Sequence, residues 1–438
     1  MADWKKQPNR KPLVLRGARQ VGKTSLVNLF GNDFSQYIYL NLELPQDRAL
    51  FENSENIDIL VQAIFLTKRK NVLDLDSLLF IDEIQAYPSA IEQLRYFYEF
   101  YPNLFVIAAG SLLETVFDTN ISFPVGRVDS LHIRPLTFQE FLNATGEDQV
   151  IKLLNEIPIP SYAHGILLEL FHTYTLLGGM PEIIAQYAKH KNISALTQTY
   201  DSILVPYIED IAKYAANASQ ASVLRHLIQS GLTHAGERIV FEGFGNSNYK
   251  SREVGEAFRT LEKSFFLQLV YPVTETVLPI SPNNRKSPRI QALDTGLGVY
   301  FSGIQANVIQ LKDLNDAFRG RIAEHVVYQE LLAKETSVLR KLHFWVRDKS
   351  SSQAEVDLVY PYKTYLIPLE IKSGATGKLR SLFEFMERSP HNMAVRLYAG
   401  KPTLDEFVTP KGKSIKLLNL PYYAVSKLDE YITWAFKI

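Results

Sequence analysis

Gly17-Ala18-Arg19-Gln20-Val21-Gly22-Lys23-Thr24 fits the spacing G-x-x-x-x-G-K-[ST] and lies between a short apolar strand and an amphipathic helix. Its glycines let the backbone wrap an anion so that amide hydrogens point inward, at a helix N-terminus whose dipole favours negative charge. That is the chemistry of a phosphate cradle. Lys23 would reach the β- and γ-phosphates of ATP, and the Thr24 hydroxyl would ligate Mg2+. The candidate nucleotide-binding set is Gly17, Ala18, Arg19, Gln20, Val21, Gly22, Lys23, Thr24 and Ser25. A fortuitous glycine turn is the alternative.

About sixty residues downstream, Leu78-Leu79-Phe80-Ile81-Asp82-Glu83 is an apolar strand that delivers two acids at its C-terminal end. The magnesium-binding Asp of a Walker B strand belongs there, so Asp82 is the second metal candidate. Glu83 is placed to polarise an attacking water as general base. For Glu83 taken alone, a capped turn between strand and helix remains open. The apolar run Leu104–Ala109 ends in Gly110-Ser111. Ser111 is a candidate sensor of the γ-phosphate, or a plain N-cap for a helix through Leu112-Leu113-Glu114. Arg127 is a candidate finger, in cis or in trans, that would stabilise charge on the γ-phosphate; Arg134 competes for that role, and either can be a surface ion-pair residue.

A second constellation lies near the C-terminus. Asp357 sits in Glu355-Val-Asp-Leu-Val, ahead of a turn around Pro361–Thr364 and the strand Leu366–Lys372. A hairpin centred near residues 363 and 364 would set Asp357 opposite Glu370, with Glu370 and Lys372 on one face because strand side chains alternate. Glu324, from the preceding helix Arg321–Leu332, would be a fourth member. Glu324, Asp357, Glu370 and Lys372 thus form a D…E-x-K set, in which carboxylates hold Mg2+ against a scissile phosphate and the lysine attends the water. The plain alternative is a lysine neutralising two acids at a strand end.

The elements that must hold these residues are legible in outline. Leu13–Leu15, Tyr37–Leu42, Leu78–Ile81 and Leu104–Ala109 read as buried parallel strands alternating with helices, which gives a doubly wound α/β domain over residues 1–135. Residues 136–216 turn helical, broken at Gly178-Gly179-Met180-Pro181. Residues 217–300 have the outline of a winged helix. There, Val254, Ala257, Phe258 and Leu261 form one apolar stripe, and Phe266–Tyr271 and Arg289–Leu293 read as the two strands of a flap. Lys250, Arg252, Arg259 and Lys263 could face DNA phosphates, although Glu253, Glu256 and Glu262 dilute that face. Residues 301–438 form the last α/β domain.

Lysine plus arginine equals aspartate plus glutamate at 47 each, so nucleic-acid contact would need a local basic patch. Cysteine is absent, which removes disulfides and thiolate chemistry. No signal peptide and no membrane-spanning run is evident, so a cytoplasmic protein without a membrane partner is expected.

Arg16-Gly-Ala-Arg-Gln-Val-Gly-Lys-Thr, Ile81-Asp-Glu-Ile-Gln, Gly110-Ser111, Gly126-Arg127 and Pro135-Leu-Thr-Phe-Gln-Glu-Phe141 follow one another in an order that resembles prokaryotic AAA-type ATPases with a C-terminal DUF4143 domain. Gly178-Gly179-Met-Pro181, Asp294-Thr-Gly-Leu297 and the C-terminal acids extend the resemblance over nearly the whole chain. It implies an N-terminal P-loop ATPase with an ASCE/AAA+-like parallel sheet, a central helical and winged-helix region, and a C-terminal α/β domain similar to restriction endonucleases. Val356 stands where the nuclease pattern has proline.

Two functional expectations follow. In one, an Mg2+-dependent ATPase acts on double-stranded DNA through the winged helix and the nuclease-like acids. In the other, a nucleotide-dependent switch or assembly protein binds a protein partner, or a further copy of itself, on an inactive nuclease-like platform. A nucleotide kinase is disfavoured, because Asp82-Glu83 suits activation of water.

Overall fold

The computed structural model describes the whole chain except residues 112–122, 213, 214, 216, 306–319, 338, 349–353, 372–378 and 438. Lys372 and the expected helix start at 112–114 lie outside the described residues. The chain divides into two compact units: Met1–Arg134 with Lys263–Phe265 and Glu335–Leu339, and Pro135–Glu262 with Phe266–Lys334 and Arg340–Ile438.

In the first unit, β1 (Leu13–Arg16), β2 (Gln36–Asn41), β3 (Ser77–Asp82), β4 (Phe105–Ala109) and β5 (Asp129–His132) form a parallel sheet in the order β2-β3-β4-β1-β5. Alternation of side chains splits each strand between two cores. Val14, Ile38, Leu40, Leu79, Ile81, Val106 and Ala108 pack with helical Leu60, Ile64, Ile91 and Leu94. Leu13, Leu15, Leu78, Phe80, Ile107 and Ala109 pack on the other face with Trp4 and Val27. Both faces of the inner strands β1, β3 and β4 are covered, which is why these read as apolar runs, while the edge strand β2 is half-buried. The exception is β5. Asp-Ser-Leu-His has no apolar run, and as an edge strand it is only partly buried, so apolar patterning misses it.

The second unit opens with helices Phe138–Thr145, Asp148–Leu154, His164–Leu177, Pro181–His190 and Thr197–Ala212. Thr137 begins the first with a reciprocal capping box: its hydroxyl accepts from the Glu140 amide while the Glu140 carboxylate accepts from the Thr137 amide. Helices Ala218–Thr233 and Ser251–Lys263 follow, then the antiparallel pair β6 (Leu267–Val270) and β7 (Arg289–Ala292). Val254, Ala257, Phe258 and Leu261 are all buried. The unit closes with a six-stranded mixed sheet, β12-β13-β11-β10-β9-β8, built from β8 (His343–Val346), β9 (Glu355–Tyr362), β10 (Tyr365–Ile371), β11 (Met393–Tyr398), β12 (Thr403–Val408) and β13 (Ser414–Pro421).

The two glycine motifs of this unit meet in one buried polar node. The Gly179 amide donates to Asp294 Oδ2 at 2.6 Å, the Leu297 amide donates to Asp294 Oδ1 at 3.0 Å, and Gln329 Nε2 donates to Oδ2 at 3.2 Å. Gly178 has φ +78°, and a Cβ there would lie 2.0 Å from Asp294 Oδ1. Only glycine fits. Burial pushes the Asp294 carboxyl up to about 6 against these three bonds, so the motifs are explained by packing and need no ligand. No described helix is long and apolar enough to cross a membrane.

Candidate functional site

The strand order puts β4 between β1, which feeds the glycine loop, and β3, which ends in the acids. All three strands run parallel, so the loop, Asp82 and Ser111 emerge at the same edge of the sheet. Ligands of open α/β sheets bind at that carboxyl edge. Gly17 (φ +141°) leaves β1 so close to Ile133 that a Cβ would lie 2.2 Å from the Ile133 carbonyl oxygen, and Gly22 (φ +91°) turns the chain into the helix Lys23–Gly31. The first turn of that helix therefore directs its unpaired amides at the loop.

Thr24 joins the two motifs. Its hydroxyl donates to Asp82 Oδ2 at 2.8 Å, across 58 residues of sequence. Asp82 is buried; its Oδ2 also accepts from the Tyr39 hydroxyl at 3.2 Å, and its Oδ1 accepts from the Glu83 amide at 3.0 Å. Burial raises the Asp82 carboxyl above its ordinary value, opposed by the Thr24 bond. Thr24 Oγ1 and the Asp82 carboxylate are hard oxygen donors side by side, a donor set that fits Mg2+.

Lys23, next to Thr24 in the chain, is buried. Its Nζ donates to the Gly17 and Ala18 carbonyls at 3.0 and 2.7 Å. Desolvation pulls the ammonium down to about 8; Glu83 and Asp82 oppose that pull, and Arg19 adds to it. Glu83 follows Asp82 with φ +49°, an uncommon left-handed conformation for a non-glycine residue, and its carboxylate accepts from Gln85 Nε2. Ser111 is buried at the end of β4, and its Oγ accepts from Arg19 Nε at 3.3 Å. Tyr39 and Gln85 escape sequence reasoning. Tyr39 is an ordinary aromatic strand residue until β2 is paired with β3.

Of the candidate fingers, Arg127 is half-buried and its Nε meets Glu99 Oε1 at 3.1 Å, an ordinary surface pair. Arg134 Nε donates to the Glu335 carbonyl at 3.4 Å. Neither touches the residues around Thr24 in these contacts.

The C-terminal acids also converge. β9 and β10 pair as a hairpin with Tyr365 opposite Tyr362 and Leu369 opposite Leu358, and the next step sets Glu370 against Asp357. The Ile371 amide donates to Asp357 Oδ2 at 2.8 Å. What the motif did not reveal is Arg289, which arrives from β7. Its Nη1 donates to Glu324 Oε2 at 2.8 Å and to the Asp357 carbonyl at 3.2 Å. Its Nη2 bonds Glu355 Oε1 and lies 3.5 Å from Asp357 Oδ1. Burial alone would lower the guanidinium, but Glu324, Glu355 and Asp357 outweigh it and hold the charge firmly. Glu324 is raised by burial and by Asp357, with Arg289 opposing. A divalent ion placed among these acids would meet a fixed positive charge, so the set as arranged does not fit a metal.

Residues 9–142 match the model of an AAA domain, residues 168–308 that of a domain of unknown function (DUF8612), and residues 319–423 that of a domain of unknown function (DUF4143). With the parallel sheet, the first match supports a P-loop ATPase unit at the N-terminus. No curated protein matches the chain. Among solved structures, the Walker-type ATPase paby2304 of Pyrococcus abyssi is similar at 15% identity and a TM-score of 0.45, covering 69% of this chain and 94% of its own. Drosophila ORC, in a structure bound to DNA, is similar at 14% identity and a TM-score of 0.29, covering 71% of this chain and 94% of its own. PCH-2 of C. elegans is similar at 15% identity and a TM-score of 0.26, covering 44% of this chain and 55% of its own. Similarity this distant assigns no function here.

Proposed function

We propose that the first unit binds Mg-ATP and hydrolyses it. The observation that carries this reading is the Thr24–Asp82 hydrogen bond, which joins the glycine loop, with its buried Lys23, to the acidic strand end. In this reading the loop amides from Gly17 to Ser25 bind the phosphates, and Lys23 exchanges its carbonyl partners for phosphate oxygens. Thr24 and Asp82 hold Mg2+, which when bound offsets charge on the β- and γ-phosphates. Glu83 takes the proton of the attacking water once its carboxylate leaves Gln85. Ser111 senses the γ-phosphate and communicates with the loop through Arg19. Arg127, acting in trans, would make a homo-oligomer the working form.

The output of that cycle is best read as a nucleotide-dependent switch on a partner, with the C-terminal α/β domain as platform. The bridging of Glu324, Glu355 and Asp357 by Arg289 favours this over DNA cleavage. The central helices and the β6–β7 flap, read as a winged helix, leave Arg252 exposed but paired with Glu256 at 2.9 Å, which weakens the case for a phosphate-binding face. The test is ATP turnover with and without linear duplex DNA for wild type, Lys23→Ala and Asp357→Ala. Turnover lost in Lys23→Ala, kept in Asp357→Ala and indifferent to DNA, with the DNA left whole, is expected. DNA degraded only when Asp357 is intact would replace the platform with a nuclease.

A further inference from the structure

The resemblance to nuclease folds implies that the acids around Asp357 take a divalent metal, and the side chains disagree. Magnesium demands oxygens at roughly 2.0–2.1 Å in near-octahedral array. Asp357, the acid central to the motif, has one carboxylate oxygen facing the Arg289 guanidinium at 3.5 Å and the other accepting from the Ile371 amide at 2.8 Å. Glu324 and Glu355 point their oxygens at the two terminal nitrogens of the same guanidinium. The Phe344 ring lies 4.8 Å from it, and the second oxygen of Glu355 accepts from Arg238 Nη1 at 3.1 Å. A cleft of about 540 Å³ opens beside this group, lined by Arg238, Arg289 and Arg321 together with Glu237, Glu324 and Glu355. Its opposite charges already pair across it: Arg321 with Glu237, Arg238 with Glu355, Arg289 with Glu324 and Glu355.

We propose that Arg289 is the resident cation of this cluster: its guanidinium stands where the nuclease motif would place a metal, closes the site to divalent ions, and ties β7 to β9 and to the helix Arg321–Ala333. Arginine suits the role. It presents several donors in one plane, reaches carboxylates on separate elements at once, and keeps its charge at every pH the protein meets. A lysine would offer one compact charge and could lose it on burial. The cluster is therefore an ion-pair clasp with the residues of a metal site. Removing the guanidinium leaves Glu324, Glu355 and Asp357 converging on one another, the condition under which carboxylates recruit Mg2+ or Mn2+. This deepens the platform reading and is independent of ATP turnover, so either can fail without the other.

The experiment is a Mn2+ titration followed by electron paramagnetic resonance on the full chain carrying Lys23→Ala and Thr24→Ala, which suppresses metal uptake at the loop. In that background Arg289 is kept, changed to Met, or changed to Met together with Asp357→Asn. The expected result is no Asp357-dependent Mn2+ uptake with Arg289 in place, one new site at least tenfold tighter in Arg289→Met, and its loss in the Asp357→Asn combination. Should Arg289→Met not fold, the Arg289-containing protein decides alone by comparison with its Asp357→Asn derivative: absence of Asp357-dependent uptake upholds the proposal. Stoichiometric, Asp357-dependent Mn2+ binding with Arg289 present overturns it, as does a folded Arg289→Met protein that binds Mn2+ no tighter than its parent.

Discussion

Lys23 in the first unit and Arg289 in the second are both buried near acids, and the two cations are held differently. Lys23 hangs on a flexible stem over two backbone carbonyls, with Asp82 and Glu83 nearby and burial pulling its charge down. Arg289 is forked between three carboxylates from two other elements and cannot be discharged. Carbonyl bonds to an ammonium are easily exchanged for bonds to a phosphate, while removing one partner from a buried ion cluster leaves unpaired charge behind. The first arrangement is built to change partners; the second is built to stay.

The sharpest way to break that contrast is to delete each cation. Lys23→Ala should weaken nucleotide binding by more than about 100-fold and leave thermal unfolding nearly unchanged. Arg289→Ala should do the reverse, costing about 3–5 kcal/mol of stability in denaturant titration, because three carboxylates lose their counter-ion. If Arg289→Ala unfolds like wild type, the clasp is not structural. A second comparison sets Gly178→Ala in the second unit against Gly126→Ala in the first. Both positions have positive φ, but only at Gly178 would the new Cβ strike a carboxylate oxygen, so it should cost about 3 kcal/mol where Gly126→Ala costs about 1 kcal/mol. Equal costs would show that the Asp294 node can give way.

Protonation provides a finer distinction. A triphosphate favours the charged lysine, and burial pulls the Lys23 ammonium down to about 8, where half of it is deprotonated. Nucleotide affinity should therefore be full below that pH and fall as pH rises through it, by at most about tenfold per unit. Equilibrium binding between pH 7 and 9.5 measures this, and a flat profile would mean that Lys23 keeps its charge. Arg127→Ala should have the smallest effect on nucleotide binding and on stability, since its carboxylate partner is on the surface, and a role as a finger in trans would show in turnover alone.

The sequence exposes what is local and hides what is folded together from afar. Thr24 and Asp82 are readable because a loop of fixed spacing and an apolar strand ending in acids each carry their own signature, and the hairpin register of Asp357 and Glu370 follows from a turn centred near 363 and 364. The inner strands β1, β3 and β4 announce themselves by apolar runs and the edge strand β2 by Tyr37-Ile38-Tyr39-Leu40, whereas the other edge strand, β5, carries only Leu131 among polar residues. Arg289 is invisible for a different reason. It is one arginine in a short strand some seventy residues before Asp357, and nothing local tells that β7 will lie against the acids. Tyr39 and Gln85 reach their carboxylates only once neighbouring strands and the turn after β3 are in place.

The most direct test of the account is Mg2+-dependent ATP turnover by wild type and Glu83→Gln, with nucleotide binding measured alongside. Wild type should turn ATP over, and Glu83→Gln should bind ATP as tightly but hydrolyse it at least about 100-fold more slowly. Hydrolysis by Glu83→Gln at the wild-type rate, or a wild-type protein that binds Mg-ATP and never cleaves it, would contradict this account.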